Sequence, residues 1–130
     1  METVKNFSAQ FVAAILLSLA SLTTLQPTYA QAVAPEISIN DLIGTYRVAG
    51  RNPDGSGYAG TMTLSKSGTG AQLVWTVGDQ KYRGSASVIG NVLSVNWGQK
   101  HPVIYVLLDN GELHGTWANG SALERLELIK

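Results

Sequence analysis

The chain has 130 residues, and its nine basic and nine acidic side chains give a formal net charge of zero at pH 7. Such a sparse and balanced charge argues against a nucleic-acid-binding surface and against electrostatic binding to a membrane. The chain has no cysteine, which excludes disulfides and cysteine nucleophiles. Its stability must therefore come from packing and strand pairing.

The first thirty residues have the pattern of a secretory signal peptide. Lys5 gives a weakly basic start, and an apolar run follows at 11–22, broken only by Ser18 and Ser21. The run is shorter than the ~20 predominantly apolar residues that a membrane-spanning helix needs. We therefore expect cleavage after Ala30 and export to the periplasm or out of the cell, with an uncleaved membrane anchor as the alternative.

The remaining hundred residues are enough for one domain. Residues 31–40 predict a tether, in which Ser38 or Asn40 caps one short helical turn. Residues 41–130 predict a single domain in which short alternating segments are separated by turn signals rich in Gly, Asn and Asp. The predicted strands are residues 45–49, 58–65, 71–77, 81–89, 92–97, 102–108, 112–118 and 123–129.

Apolar and polar residues alternate along these strands, as in an antiparallel sheet with one face in a core. Short sequential connections favour an up-and-down meander, and eight strands close into a barrel that side chains fill or that holds one small ligand. We therefore predict an all-β fold, an eight-stranded antiparallel barrel. Its lower part should be packed, and any pocket should be shallow and open at one end.

The sixth predicted strand, from Pro102 to Leu108, departs from this alternation. Ile104, Val106 and Leu108 make its second face apolar as well. We expect either the N-terminal tether or a partner chain in an oligomer to cover that face.

One short pattern recurs four times, at residues 42–46, 58–62, 82–86 and 113–117. It consists of a large residue, any residue, Gly, then Thr or Ser, usually followed by an apolar or aromatic residue. The large residue and the Gly share one face of the strand. We expect each Gly to let its strand bend and to let another side chain cross over it, which helps to close a small barrel.

Residues 41–46, Asp-Leu-Ile-Gly-Thr-Tyr, resemble the opening of calycins, the lipocalin and avidin group, in which a Gly-x-Trp-like motif starts the barrel; Tyr46 occupies the Trp position. Residues 44–56, followed by Tyr58-x-Gly60, are more closely similar to a family of small exported bacterial β-barrel proteins often labelled fibronectin-binding protein. Residues 74–75, 91–93, 103–105 and 113–117 continue this likeness. The resemblance implies a calycin-like barrel and, through the label, fibronectin as a partner. Several relatives carry a cysteine pair that this chain does not have.

Seven aromatic side chains are predicted to point into the barrel, where they are candidates to line a pocket for an apolar ligand. They are Tyr46, Tyr58, Trp75, Tyr82, Trp97, Tyr105 and Trp117. Core packing is the alternative, and the pattern favours it. Glu124 shares the apolar face, where an isolated buried charge is unfavourable. We expect Glu124 to accept a hydrogen bond from a ligand at the barrel mouth, or simply to lie at the rim.

The polar loop at residues 51–57 is a candidate for binding a partner protein through Arg51, Asn52 and Asp54, with a well-made turn as the alternative. It lacks the bidentate Glu of a calcium loop, so we predict no metal. His101 and His114 lie in a turn and on the polar face without a nucleophile elbow. We therefore predict no catalytic residues and no cofactor.

These observations together predict an exported, non-enzymatic binding module. It would recognise a partner protein, fibronectin on the resemblance alone, or a small apolar ligand at the barrel mouth. The second hypothesis is a structural or oligomerising protein of the cell envelope, and the third is a small barrel isomerase.

Overall fold

The computed structural model describes residues 24–27 and 37–130. Residues 24–27 are exposed and have no regular secondary structure. The predicted signal peptide lies largely outside the described residues, as does most of the predicted tether. No helix within the described ranges is long and apolar enough to cross a membrane.

Residues 37–130 begin with one helical turn, α1 (Ile39–Leu42). The Ser38 side chain caps it by accepting a hydrogen bond from the backbone N–H of Asn40 at 3.3 Å. Of the two predicted caps, the first is therefore the one used. Leu42 is buried and connects this turn to the barrel core.

Eight strands follow, and their bounds lie within two residues of those predicted. Each contains the period-two alternation that the sequence showed, and the turns between strands fall at the Gly, Asn and Asp clusters. The strands are β1 (Gly44–Arg51), β2 (Gly57–Ser67), β3 (Gly70–Val77), β4 (Gln80–Ile89), β5 (Val92–Asn96), β6 (Val103–Leu107), β7 (Leu113–Trp117) and β8 (Ala122–Leu128).

Every strand pairs antiparallel with the next, and β1 also pairs with β8, so the sheet closes into a barrel. The predicted eight-stranded antiparallel meander is confirmed. The barrel has two different ends. We call the end where β1, β3, β5 and β7 finish the mouth, and the opposite end, which carries α1, the base.

The barrel interior toward the base is filled by large buried side chains, as predicted for the lower part of the barrel. Tyr46, near the beginning of β1, is buried, and its hydroxyl donates a 2.7 Å hydrogen bond to the backbone carbonyl of Leu42 in α1. The other large side chains that are fully buried fill the barrel interior. They are Val48, Met62, Leu64, Leu73, Leu93, Val95, Tyr105, Leu113 and Leu126.

Two glycines make room for tyrosine rings that cross the interior. Gly115 of β7 pairs with Tyr105 of β6, and a Cβ at Gly115 would collide with the Tyr105 ring. This confirms the predicted crossover for the fourth copy of the pattern. Gly50, which lies outside the pattern, plays the same part on β1, because a Cβ there would collide with the ring of Tyr58.

The second copy of the pattern works differently. A Cβ at Gly60 would run into the backbone carbonyl of Thr76 on β3 rather than into a side chain. Here the missing side chain permits a close approach of two backbones. The prediction of a crossing side chain is therefore wrong at this position.

The outer face of β6 is partly exposed. Val106 is 38% exposed, and Leu108 just after the strand is 37% exposed. Most of the tether predicted to cover this face lies outside the described residues. Cover by the tether or by a partner chain stays a prediction.

Candidate ligand-binding site at the barrel mouth

A cavity of about 400 Å³ opens at the mouth of the barrel. We call it the mouth cavity. Aromatic and aliphatic side chains form most of its lining, and a few polar groups interrupt them, as is usual for small-molecule sites. The lining side chains are Asn52, Tyr58, Trp75, Val77, Gln80, Tyr82, Trp97, Val103, Trp117 and Glu124.

Strand direction explains why these side chains meet. Tyr58 and Tyr82 lie near the beginning of β2 and β4, whereas Trp75 and Trp117 lie near the end of β3 and β7. In an antiparallel meander all of these positions fall at one end of the barrel. Their inward direction follows from the same alternation that builds the core below them.

Four rings form an aromatic wall, which consists of Tyr58, Trp117, Trp97 and Tyr82 in that spatial order. Neighbouring rings meet edge to face, with centroid separations of 6.3, 5.8 and 6.2 Å. Such contacts contribute about 0.5–1.5 kcal/mol each beyond the burial of area. The Trp97 indole N–H is also held by the carbonyl of His101 at 3.0 Å. The wall is therefore braced in place without a ligand.

Glu124 lies at the floor of the cavity and is only 7% exposed. The Tyr58 hydroxyl donates to its Oε1 at 3.0 Å, while the Trp75 indole N–H donates to Oε2 at 3.3 Å. The Tyr105 hydroxyl donates to Oε2 as well. Three neutral donors thus surround one buried carboxylate.

The register of β8 explains how these donors reach Glu124. Its strand partners are Gly50 on β1 and Gly115 on β7. These are the two glycines over which the rings of Tyr58 and Tyr105 cross. Each ring passes over a glycine that flanks Glu124, so the two hydroxyls reach the carboxylate from both sides.

The two indoles fix the direction of the hydrogen bonds that they make in this cluster. Trp117 Nε1 donates to the Tyr58 hydroxyl at 2.9 Å, and Trp75 Nε1 donates to the Tyr105 hydroxyl at 3.1 Å. An indole N–H can only donate. Each tyrosine oxygen accepts from a tryptophan and keeps its own hydrogen, which it donates to the ionised Glu124. Tyr58, Tyr105 and Trp75 thus donate to the carboxylate, and Trp117 donates to Tyr58.

Burial raises the pKa of Glu124, and the hydrogen bonds from Tyr105, Tyr58 and Trp75 oppose that rise. Burial, and secondly the charge of Glu124, raise the pKa of both Tyr58 and Tyr105, so the two hydroxyls keep their protons at ordinary pH. The ion pairs within residues 37–130 join other carboxylates to Arg47, His114 and Arg125. None of those pairs includes Glu124.

The structure divides the predicted aromatic candidates into three groups. Tyr58, Trp75, Tyr82, Trp97 and Trp117 line the mouth cavity. The second group is Tyr105 alone, which is fully buried beneath the cavity and contacts the site by its hydrogen bond to Glu124. The third group is Tyr46 alone, which lies at the base and is not part of the cavity lining.

The predicted partner-binding loop is a turn whose polar groups bond to one another. Arg51 donates to the carbonyl of Gly55 at 3.0 Å, and Asp54 accepts from the N–H and the hydroxyl of Ser56 at 2.9 and 2.6 Å. The bonds from Ser56 also lower the pKa of Asp54. Asn52 is the one of the three loop candidates that lines the cavity.

Sequence reasoning missed Gln80 as a lining residue. It is the first residue of β4 and lies two positions before Tyr82, so the alternation could have placed both on the inward face. The role of Gly50 was also missed. The same alternation could have indicated it, because Gly50 shares its strand face with Tyr46 and Val48.

The described residues contain no candidate metal site. No group of three His, Asp or Glu side chains comes together there as a possible set of ligands. At the base end His114 contacts Glu112 at 2.7 Å, which forms a local surface pair.

Comparison with models of protein families gives no match, and comparison with curated proteins gives no match either. Among solved structures the chain is similar to a redesigned β-barrel, with 16% sequence identity and a TM-score of 0.50. The similarity covers 72% of this chain and 96% of that chain. At this level of identity the likeness shows the fold alone: the protein is an all-β barrel.

Proposed function

We propose that the barrel is a non-enzymatic binding module that takes a small, mainly apolar ligand into the mouth cavity. Its volume of about 400 Å³ lies within the range of roughly 300–1,000 Å³ that is typical of small-molecule sites. Its lining combines large aromatic rings with few polar groups, which is also typical of such sites.

The observation that carries this proposal is the contrast between the two ends of the barrel. Toward the base, fully buried side chains fill the barrel interior, and the cavity at that end lies between α1, the β2–β3 turn and the end of β4, where small and polar residues form most of its lining. At the mouth, the aromatic wall surrounds open space instead of filling it. Leaving apolar surface in contact with water forgoes about 25 cal/mol for each Å² that a ligand could bury. A braced and unfilled aromatic cavity therefore favours a ligand.

Binding without catalysis is supported by the ionisable groups that line the cavity. Glu124 is the one carboxylate among the described lining residues, and its hydrogen-bond partners are two phenols and one indole. The phenol of Tyr58 has a raised pKa, so it is a poor proton carrier near neutral pH. The site can hold and orient a ligand more readily than it can exchange protons with one.

The test is a titration of the purified protein with two neutral apolar probes, cyclohexylmethanol and 1-octanol. All three tryptophans line the cavity, so intrinsic fluorescence should change and saturate at roughly micromolar to millimolar probe. Calorimetry gives the same dissociation constants without depending on the tryptophans as reporters.

Trp117→Ala should weaken binding at least tenfold, because it removes the central contacts of the aromatic wall. The control is Leu123→Ala, since Leu123 is exposed on the adjoining strand β8. That variant should bind as the wild type does. Equal binding by wild type and a folded Trp117→Ala, or a flat response to both probes, would contradict the proposal.

Export, a fibronectin partner, the resemblance to the labelled family and oligomerisation through β6 stay predictions. The binding function proposed above does not depend on any of them. If both probes fail, the turn at residues 51–57 and the outer face of β6 become the next surfaces to test against protein partners.

A further inference from the structure

We propose that the ligand is an organic cation, a protonated amine with an apolar body, whose ammonium group lies against Glu124. The inference rests on the proposed function, because it names the chemical class that the mouth cavity selects. Three features of the site lead to it: the direction of the hydrogen bonds, the missing counter-charge and the aromatic wall.

The hydrogen bonds are directed as they would be around an anion. Both indoles donate to tyrosine oxygens, and both tyrosine hydroxyls donate to the carboxylate. A protonated Glu124 could place its hydrogen on a tyrosine oxygen only if that hydroxyl turned its own hydrogen away from the carboxyl group. These three hydrogen bonds therefore favour the ionised form of Glu124, although burial opposes it.

That ionised form has no positive partner within the described residues. Its surroundings supply neutral donors only, and the pairs formed by Arg47 and Arg125 lie elsewhere on the barrel. A buried charge is unfavourable unless it is both paired and hydrogen-bonded. The protein supplies the hydrogen bonds, and a cationic ligand supplies the opposite charge.

The carboxylate also has an acceptor position to offer. Each carboxylate oxygen can accept about two hydrogen bonds. Oε2 receives bonds from Trp75 and Tyr105, whereas Oε1 receives one from Tyr58. Glu124 lines the cavity, so an ammonium N–H has an unfilled acceptor position there.

The aromatic wall suits the same ligand. The negative face of an indole or phenol ring attracts a cation, and Trp attracts it most strongly. Trp75, Trp97 and Trp117 all line the cavity together with Glu124. Their rings can contact the apolar body of an amine and also stabilise its charge.

The test compares three head groups on each of two bodies. The cyclohexyl series is cyclohexylmethylammonium, cyclohexylmethanol and cyclohexanecarboxylate, and the octyl series is octylammonium, 1-octanol and octanoate. Calorimetry at pH 8 should show the ammonium member of each series binding at least tenfold tighter than the alcohol. The carboxylate should bind most weakly, because it places a second negative charge beside Glu124.

Glu124→Gln should weaken ammonium binding at least tenfold and change alcohol binding less than threefold. The matched control is Glu127→Gln, which removes the same formal charge from β8 where the side chain pairs with Arg47 and Arg125. It should leave both affinities unchanged. Equal ammonium losses in the two variants would overturn the assignment to Glu124.

A second measurement uses the wild type alone, in case Glu124→Gln does not fold. Ammonium affinity should fall as the pH is lowered and Glu124 takes up a proton, while alcohol affinity stays constant. The titratable groups that face Glu124 are Tyr58 from β2 and Tyr105 from β6, and their raised pKa values keep them protonated throughout. Parallel pH profiles for the two probes would overturn the inference.

The outcomes separate this inference from the proposed function. Alcohols that bind as tightly as the ammonium members would leave the mouth cavity as a ligand site and overturn the cation assignment. Failure of all six probes would overturn both.

Discussion

At the residue scale, Glu124 is a buried carboxylate whose environment is unfavourable to its charge when the cavity is empty. Burial raises its pKa above the usual ~4.3, so the folded chain holds a proton there more tightly than the unfolded chain does. Its contribution to stability is therefore fully present below the unfolded pKa. It is lost as the pH rises through the raised folded pKa.

We therefore expect the free energy of unfolding of the wild type to fall, relative to Glu124→Gln, as the pH is raised from about 4. The loss should be on the order of 1.4 kcal/mol for each unit by which the folded pKa is raised. Urea unfolding of both proteins across this pH range measures it. Curves that stay parallel, or a wild type that gains stability relative to the variant, would show that Glu124 is not held in an unfavourable site.

At the element scale, the two glycines beside Glu124 determine whether the site can form. Gly115→Ala places a Cβ against the Tyr105 ring and 2.6 Å from the carbonyl oxygen of Ile104. We expect a destabilisation of about 1–3 kcal/mol, together with weaker ligand binding, because Tyr105 must move away from Glu124. Gly57→Ala is the control, since its nearest neighbour is a backbone oxygen 3.8 Å away. Equal urea midpoints for the two variants would contradict this account.

The strands could be predicted from the sequence because their signal is local. Period-two alternation between turn residues gives both the strand positions and the inward face, which is why Trp75 and Trp117 could be assigned to the interior. Depth along the barrel is not local, since it depends on register with other strands. Tyr46 and Tyr58 carry the same inward signal, yet one lies at the base and the other at the mouth.

The network around Glu124 shows the same limit. The sequence indicated that a carboxylate on the apolar face near a strand end needs partners. It did not indicate which donors those would be, because Tyr58, Trp75 and Tyr105 lie 66, 49 and 19 residues from Glu124 along the chain. Only closure of β1 onto β8 brings Tyr58 to it across Gly50.

At the scale of the whole molecule, the barrel has a packed interior toward the base and an open cavity at the mouth. The fully buried side chains of the base hold the closed sheet together, so the mouth can keep an unfilled aromatic cavity. The proposed function uses this division, with the ligand at the mouth and the packed interior below it. We therefore expect a bound ligand to change the signals of residues at the mouth and not those at the base.

The most direct test of that claim is an amide and indole chemical-shift titration of the ¹⁵N-labelled protein with cyclohexylmethanol, a neutral probe that does not depend on the charge of Glu124. We expect saturable shifts at Trp97, Trp117 and Glu124, with the signals of Tyr46 and Leu113 at the base unchanged. Shifts centred on the base or on the outer face of β6, or no shifts at all, would contradict it.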